Sequence, residues 1–305
     1  MTAAEKRGTT MSTVLITGSS TGIGRRTAET LAAAGHTVYA TMRDPGGRDA
    51  DAASELESLA RHHGWKLRVA ELDVTSQASA DAAVRRVLDT TDGLDTVVHN
   101  AGHLLIGYVE AFTDDDVSHL FDINTVGAHR VNRAVLPHLR ERGSGTLLYV
   151  GSTILVTAPP FLGPYVASKA AFDALAVVTS YEVSQFGIET SIVMPGAIPR
   201  GTNHFPGAGR ASDERVTARY SGLDPLVART HEAHEKLFAP GGEPHPQDVA
   251  DEIERILALP DGTRPFRSVV DAAEAGVDHV MAFSDLTREA YVRRLGFAGT
   301  LEVKR

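Results

Sequence analysis

The feature that most limits the fold of this chain is a regular alternation of short apolar segments with longer amphipathic ones. Seven segments have the apolar, β-branched character of buried strands, and they cover residues 13–17, 37–42, 66–72, 94–99, 145–150, 189–194 and 266–270. Six helical patterns lie between them, at residues 23–34, 50–62, 77–89, 117–142, 166–186 and 246–259. Strands joined by helices instead of tight hairpins form a parallel sheet with helices on both faces. The sequence therefore predicts a single doubly wound α/β domain that binds its ligands beyond the carboxyl ends of the strands.

Composition excludes several kinds of site and partner. The 305 residues contain no cysteine, which excludes a disulfide scaffold, a thiolate metal site and a cysteine nucleophile. The 30 basic and 39 acidic side chains give a net charge of −9, which opposes binding to nucleic acid or to an anionic membrane surface. No segment has the roughly 18 consecutive apolar residues that span a bilayer, and residues 1–12 lack the apolar core of a signal peptide. We expect a cytoplasmic protein with a flexible tail at residues 1–12 and a small-molecule substrate.

A glycine-rich turn follows the first strand directly and opens the first helix. It has the spacing GxxxGxG, and no GxxxxGK[ST] phosphate loop occurs in the chain. Glycine allows a sharp turn and a close backbone approach, and the free N–H groups of a helix N-terminus attract phosphate. The alternative is a tight strand-to-helix turn without a ligand. We expect this turn to hold the pyrophosphate of a dinucleotide through Gly18, Ser20, Thr21, Gly22, Ile23 and Gly24.

The end of the second strand indicates which dinucleotide is bound. Dinucleotide domains often place a carboxylate there to hold the adenosine ribose, but this chain has Arg43. A guanidinium can bind a 2′-phosphate through two parallel hydrogen bonds. Because Asp44 follows directly, an exposed arginine without a ligand is the competing interpretation. The sequence favours NADP(H), with NAD(H) as the alternative.

A tyrosine and a lysine near the start of a later helix predict proton chemistry. Tyr165 and Lys169 are four residues apart, so that one helical turn places both side chains on the same face. A phenol has a pKa of about 10, and a nearby cation shifts that pKa towards neutrality. Ser152 lies just beyond the end of the fifth strand, where its hydroxyl can hold a carbonyl oxygen. Its neighbourhood lacks the GxSxG elbow of hydrolases, so we do not expect Ser152 to act as a nucleophile.

These motifs together resemble the short-chain dehydrogenase/reductase family over residues 13–271. In family order they are the turn at residues 17–24, Asp73-Val74, Asn100-Ala101-Gly102, Asn124, Ser152, Tyr165 with Lys169, and Pro195-Gly196. The resemblance implies a Rossmann-type sheet of about seven strands and an NAD(P)-dependent enzyme that interconverts a carbonyl and a secondary alcohol. It also implies a homodimer or homotetramer, because family members commonly pair through the helices near Asn124 and Tyr165.

The resemblance implies roles for individual residues. It assigns Tyr165 as the general acid and base, and Ser152 as the group that orients the substrate oxygen. It assigns Lys169 as the residue that binds the nicotinamide ribose and lowers the tyrosine pKa. Asn124 would hold a water that takes part in proton transfer. Asp73 would hydrogen-bond the adenine. Further cofactor contacts are implied for Val74, Asn100, Ala101, Gly102, Pro195, Gly196, Ile198 and Thr202.

Two positions depart from the family pattern. His99 replaces an asparagine that the family usually has before Asn100, and we expect a packing change there and no new catalytic group. The family often has a threonine soon after Pro-Gly to hold the nicotinamide amide. In this chain Thr202 comes six residues after Gly196, so either a longer turn brings it to the cofactor or the contact is lost.

Residues 196–246, named here the substrate segment, lack a clear period, and we expect one or two short helices near residues 213–220 and 225–237. Residues 272–305 form an amphipathic C-terminal extension that is predicted to pack on the same domain.

His231 and His234 are three residues apart, unlike the spacing of zinc-protease helices, and no metal site is predicted. The apolar candidates for the substrate pocket suggest an apolar substrate; they are Leu104, Leu105, Ile154, Pro160, Phe161, Ile198 and Phe205. The second hypothesis is a non-catalytic regulatory or scaffold protein that keeps the nucleotide site.

Overall fold

A computed structural model describes residues 11–238 and 242–304 of the chain. The predicted flexible tail therefore lies outside the described residues except for Met11 and Ser12. Residues 239–241 of the substrate segment and Arg305 are outside them too.

The described strands lie mainly in one parallel sheet, as the alternating pattern predicts. They are β1 (Thr13–Ile16), β2 (Thr37–Met42), β3 (Leu67–Glu71), β4 (Thr96–His99), β5 (Leu105–Ile106), β6 (Gly145–Val150), β7 (Ile188–Pro195), β8 (Gly209–Arg210) and β9 (Arg267–Val270). Within the described residues, seven of them form a sheet of order β3-β2-β1-β4-β6-β7-β9 in which every neighbouring pair is parallel. This is the doubly wound, Rossmann-type sheet that was predicted.

Helices connect the strands of the main sheet. They are α1 (Gly22–Ala33), α2 (Ala50–His63), α3 (Gln77–Leu88), α4 (Asp114–Phe121), α5 (Gly127–Arg142), α6 (Ile154–Thr157), α7 (Gly163–Val183), α8 (Glu214–Thr217), α9 (Asp224–Ala228), α10 (Thr230–Glu235), α11 (Pro246–Leu257) and α12 (Val277–Arg294). The helix predicted over residues 117–142 is two helices in the structure, α4 and α5, joined by one π-helical turn at Asp122–Val126.

The two faces of the sheet bury separate apolar clusters. In β1, Val14 and Ile16 point to the cluster under α1, α2 and α11, whereas Leu15 points to the cluster under α3, α5, α7 and α12. This alternation is the period-two geometry of a strand. Because both faces are covered, all eight residues of β7 are buried, including the polar Glu189, Thr190 and Ser191 near its start.

Strand order reverses beside β1, which pairs with β2 on one side and β4 on the other. The helices that follow β1 and β4 therefore cover opposite faces of the sheet, and the carboxyl edge at this point is where a doubly wound sheet forms its ligand crevice. The chain leaves β6 and β7 at this same edge. Every site motif of the sequence that follows a strand thus reaches one end of the sheet.

The substrate segment contains more regular structure than the two short helices that its sequence predicts. Strand β8 pairs in parallel with β5, and α8, α9 and α10 follow with a 3₁₀ helix at Ala218–Leu223 between them. These elements lie near the predicted helical ranges. The small β5/β8 sheet fixes the substrate segment to the loop after β4.

The C-terminal extension packs on the face of the sheet that α7 covers. Val277 and Met281 of α12 belong to the same apolar cluster as α7. Arg267 of β9 lies between Asp173 of α7 and Asp285 of α12, at 3.0 Å from the Asp285 carboxylate. Among the described helices, none is long and apolar enough to cross a membrane.

Candidate active site

The glycine turn after β1 is packed so closely that side chains are excluded from it. Gly18 has φ +70° and Gly22 has φ +59°, in the left-handed region that favours glycine. A methyl group built on Gly18 would lie 2.9 Å from the Ala101 Cα atom, and one on Gly24 would overlap the Gly18 carbonyl oxygen. The turn therefore presents bare backbone at the N-terminus of α1, as a phosphate group requires.

Asn100 fixes this turn from the neighbouring strand. Its side-chain amide donates to the carbonyl oxygens of Thr17 at 3.0 Å and Gly18 at 2.8 Å, and its backbone N–H donates to the Thr17 hydroxyl at 2.9 Å. Asn100 thus joins the loops after β1 and β4 across the crevice. Asn100 was expected to line the turn after β4 beside the cofactor, and in the structure its side-chain amide holds the glycine turn in place.

The end of β2 leaves Arg43 exposed, while the neighbouring carboxylate is engaged within its own loop. Asp44 Oδ2 accepts a hydrogen bond from the Arg48 backbone N–H at 2.9 Å, and its backbone carbonyl accepts one from Asp49 at 2.8 Å. Asp44 therefore stabilises the turn at residues 44–49. Arg43 directly follows β2, and both Arg43 and Asp44 are exposed.

Asp73 and Val74 follow β3 and stabilise the next turn. Asp73 Oδ1 accepts from the Thr75 backbone N–H at 2.9 Å and from its hydroxyl at 2.7 Å. Val74 is buried against α5, where a methyl group on Gly127 would lie 2.9 Å from its Cβ. Both residues lie beyond the carboxyl end of β3, at the edge of the sheet from which the glycine turn also emerges.

Helix α7 carries Tyr165 and Lys169 into the site on consecutive turns. Pro164 in its first turn has the backbone torsion that a helix start needs. Both side chains are buried. Burial raises the pKa of the Tyr165 hydroxyl, and a hydrogen bond with Ser152 opposes this rise. The phenol is therefore neutral in this environment and can donate a proton.

Lys169 has lost much of its solvation. Its Nζ donates to the Val150 carbonyl at 3.0 Å and lies 5.0 Å from the centre of the Phe172 ring. Burial lowers the pKa of the ammonium from 10.5 to about 8. The lysine is thus placed close to its charge transition at neutral pH.

Asn124 lies in the π-helical turn between α4 and α5, and its side chain is almost fully hydrogen-bonded. Its Oδ1 accepts from the His103 backbone N–H at 2.7 Å, and its Nδ2 donates to the His103 carbonyl at 2.9 Å and the Ser168 hydroxyl at 2.9 Å. A methyl group on Gly102 would lie 3.5 Å from Asn124 Oδ1 and 4.0 Å from Lys169 Nζ. Asn124, Gly102 and Lys169 therefore meet at one point of the site.

Residues after β7 approach the glycine turn from the other side. A methyl group on Gly22 would lie 3.2 Å from the Thr202 Cβ atom, so the longer turn brings Thr202 to the predicted pyrophosphate site. The Gly196 backbone N–H donates to the Val270 carbonyl at 2.8 Å, and the Pro195 carbonyl accepts from Thr153 at 2.9 Å. Ile198 is buried in the cluster under α1 and α11 and away from the apolar cluster that contains Tyr165.

Five candidates for the substrate pocket belong to one apolar cluster together with Tyr165. They are Leu104, Leu105, Ile154, Phe161 and Phe205. Pro160 is exposed. Phe161 has φ +68°, an uncommon backbone conformation for a bulky side chain, in the short connection between α6 and α7.

Sequence reasoning missed His204, which reaches the centre of the site. Its Nε2 lies 3.1 Å from the Tyr165 hydroxyl, and the two rings are 5.3 Å apart. Burial, with Lys169 and His103 nearby, lowers the pKa of the imidazole to about 4, so His204 is neutral at pH 7. The only signal in the sequence was a histidine in an aperiodic stretch rich in proline and glycine.

A second missed feature ties the substrate segment to the loop after β5. Tyr108 donates from its hydroxyl to Asp224 Oδ1 at 2.7 Å, and its ring stacks on Tyr220 at 4.8 Å and meets Phe161 edge-on at 5.9 Å. These contacts form the outer wall of the apolar cluster.

His99 is a packing residue, as expected. It is fully buried in β4 and stacks on Tyr149 with the ring centres 4.5 Å apart. Burial lowers the pKa of its imidazole to about 3, so that the ring is neutral. Its ring is directed to the apolar cluster under α3, α5, α7 and α12 and not to Tyr165.

Comparison with known proteins connects this geometry to one group of enzymes. The family model described as short chain dehydrogenase matches residues 12–206. Human retinol dehydrogenase 8 is 34% identical over 262 residues, which are 83% of this chain and 79% of the relative. Human 17-beta-hydroxysteroid dehydrogenase type 1 is 38% identical over 61% of this chain and 56% of its own length.

Solved structures show the same likeness. A short-chain dehydrogenase from Streptomyces avermitilis has a TM-score of 0.69 and 28% identity, with 93% of this chain and 98% of that chain covered. A gluconate 5-dehydrogenase from Burkholderia cenocepacia, in complex with NADP and tartrate, has a TM-score of 0.68 and 26% identity over 87% of this chain and 95% of that chain.

Proposed function

Because the chain belongs to the short-chain dehydrogenase/reductase family, we propose that it is an NADP(H)-dependent oxidoreductase that interconverts a ketone and a secondary alcohol on an apolar substrate. The observation that carries this proposal is the convergence of Tyr165, Lys169 and Asn124 at the carboxyl edge of the sheet, opposite the glycine turn. All four residues of the implied catalytic set are present, and three of them are held by hydrogen bonds to neighbouring backbone.

The residues after β1 fit a dinucleotide. Side chains are excluded from Gly18 and Gly24, the N–H groups at the start of α1 are available, and Thr202 packs against Gly22. When bound, the nicotinamide supplies or accepts the hydride. Lys169 and Asn124 lie on the Tyr165 side of the crevice, where the ammonium can bind ribose hydroxyls.

Tyr165 provides the proton of the reaction. In the reducing direction the carbonyl carbon gains the hydride, and its oxygen takes the proton of the neutral Tyr165 hydroxyl. Ser152 orients that oxygen, because its hydroxyl is within hydrogen-bonding reach of Tyr165. In the oxidising direction the phenolate accepts the alcohol proton, and the Lys169 cation favours that phenolate. Asn124 has one Oδ1 lone pair left to hold a relay water.

The first prediction tests the role of Tyr165. We expect the wild-type protein to consume NADPH with a panel of apolar ketones, and Tyr165→Phe to lower kcat by about a thousandfold, since positioned general acids contribute about 10²–10⁴-fold. NADPH binding, followed by nucleotide fluorescence, should persist in the variant. If the wild type binds NADPH but reduces no ketone and oxidises no alcohol, the alternative of a non-catalytic nucleotide-binding protein gains support. Equal activity of Tyr165→Phe would contradict the mechanism.

The second prediction tests the cofactor preference. Arg43 is exposed after β2, while one oxygen of the Asp44 carboxylate accepts from the Arg48 backbone, so an added 2′-phosphate would meet the Arg43 guanidinium at the strand end. We expect Arg43→Ala to weaken NADPH binding about tenfold, the value of one charge-assisted hydrogen bond, and to leave NADH binding unchanged. Arg48→Ala, in the same loop, is the matched control. Equal losses for both nucleotides would contradict a 2′-phosphate contact.

The apolar cluster around Tyr165 favours a substrate with an apolar body. Retinol and hydroxysteroid dehydrogenases among the relatives are named for substrates of that kind. A homo-oligomeric state and a cytoplasmic location stay predictions, which light scattering and cell fractionation test.

A further inference from the structure

His204 is a polar group at the reacting end of a pocket whose other candidate walls are apolar. Its Nε2 lies 3.1 Å from the Tyr165 hydroxyl, and its ring contacts the Phe205 ring at a centroid distance of 6.1 Å. The backbone N–H of His204 donates to the Thr202 hydroxyl at 3.3 Å. The position of the imidazole is therefore fixed from two sides.

A bound ketone changes the hydrogen bonds of both groups. With the imidazole proton on Nδ1, His204 Nε2 accepts its hydrogen bond from the Tyr165 hydroxyl. Under the proposed function, the substrate oxygen takes the hydrogen bond that Tyr165 donates, so that Nε2 loses its donor. A carbonyl oxygen has two lone pairs. The hydroxyls of Tyr165 and Ser152 occupy both of them, which leaves no acceptor site on that oxygen for a third donor.

A desolvated imidazole without a partner weakens binding. The charged and titratable groups that face His204 are Lys169 and Tyr165 of α7 and His103 beside β5. Lys169 donates to the Val150 carbonyl, the Tyr165 proton is used by the substrate, and His103 makes no hydrogen bond to His204 in the described part of the chain, so none of the three gives Nε2 a new donor. A new partner has to come from the substrate itself.

The distances specify where that partner lies. A reacting oxygen at hydrogen-bond distance from Tyr165 is within about 3 Å of the same hydroxyl that His204 contacts. A hydroxyl on the carbon next to the reacting carbon lies close enough to replace Tyr165 as the donor to Nε2. We infer that His204 is a specificity-determining residue that selects substrates with a hydroxyl group adjacent to the reacting carbon, such as α-hydroxy ketones and vicinal diols. This inference rests on the proposed function of the site.

The experiment uses ketones that differ only in the adjacent oxygen. The pairs are propiophenone with 2-hydroxypropiophenone, and octan-2-one with 3-hydroxyoctan-2-one. The readout is the ratio of kcat/KM for the hydroxylated ketone to kcat/KM for the plain ketone, with NADPH and with NADH. Comparing this ratio between variants cancels the difference in intrinsic reactivity within each pair.

His204→Phe retains a ring that can pack on Phe205 and Tyr165, but it removes Nε2. We expect the ratio to fall about tenfold from wild type to His204→Phe, mainly through KM of the hydroxylated ketone, the size of effect that one hydrogen bond gives. His204→Gln, which can still donate and accept, should keep a ratio between the two. Melting temperatures of all three proteins show whether each variant folds. If His204→Phe does not fold, the ratio of His204→Gln is compared with that of the wild type instead.

Two outcomes overturn the inference in distinguishable ways. If the wild type reduces ketones but the ratio is the same in wild type, His204→Phe and His204→Gln, His204 does not read the adjacent oxygen, and the proposed function is unaffected. If the wild type reduces none of the four ketones and none of the wider panel, the proposed function fails, and this inference fails with it.

Discussion

The two halves of the site are built in different ways. The cofactor half, formed by residues 17–24 and 100–102, consists of backbone held by other backbone and by the Asn100 amide. The substrate half, formed by residues 104–112 and the described part of the substrate segment, is held by side chains such as Tyr108 and His204. The first arrangement leaves almost no room for change and suits a ligand common to a whole family. The second can be altered one side chain at a time, so that substrates can differ between relatives.

The largest expected effect comes from adding one methyl group to the cofactor half. In Gly24→Ala the new Cβ would overlap the Gly18 carbonyl oxygen and the Asn100 amide nitrogen, neither of which can move without losing its own hydrogen bonds. We expect a loss of about 3 kcal/mol in the free energy of unfolding and loss of NADPH binding. Urea unfolding and nucleotide fluorescence measure the two quantities.

Gly46→Ala is the matched control, because a methyl group there has no heavy atom within 4 Å. It should leave stability and NADPH binding close to those of the wild type. Wild-type nucleotide affinity in Gly24→Ala would show that the glycine turn is less rigid than its packing indicates, and the contrast between the two halves would then be wrong.

A further prediction concerns Lys169, which links the two halves through α7. Its folded-state pKa of about 8 lies below the reference value of 10.5. Between these pH values the unfolded chain therefore binds more protons than the folded protein, and stability rises with pH. The quantity to follow is the stability difference, which is the free energy of unfolding of the wild type minus that of Lys169→Met. In the absence of cofactor, this difference should increase by up to about 3 kcal/mol from pH 8 to pH 10.5.

Urea unfolding of both proteins across this pH range measures the difference. Lys66→Met removes a lysine from an exposed position and controls for the loss of one positive charge. If the difference in the free energy of unfolding between wild type and Lys169→Met stays constant with pH, Lys169 keeps its solvation in the folded protein, contrary to its buried position.

The contrast between the cofactor half and the substrate half also explains which parts of the site could be predicted from the sequence. The glycine turn and the pair Tyr165 and Lys169 are local patterns whose chemistry follows from a strand end or one helical turn. The contact of His204 with Tyr165 joins residues 39 positions apart and depends on the path of an aperiodic segment. Likewise, residues 117–142 read as one helix, because the π turn at Asn124 is accompanied by tertiary hydrogen bonds to His103 and Ser168 that no local pattern reveals.

The smallest expected effect concerns the outer wall of the substrate half. Tyr108→Phe removes the hydrogen bond to Asp224 but leaves the ring free to stack on Tyr220 and to contact Phe161. Since a typical hydrogen bond contributes little net stability, we expect KM for the ketone to rise about threefold with kcat unchanged. Steady-state kinetics with a ketone from the panel measure both constants.

Tyr291→Phe, at an exposed position on α12, is the control for losing a phenol hydroxyl and should change neither constant. The Tyr108 result separates two views of the substrate half. A change confined to KM means that the wall adjusts to the ligand and tolerates variation, as its construction from side chains implies. A large fall in kcat or in NADPH affinity would mean that the wall also supports the geometry around Tyr165, so that the two halves act as one rigid unit.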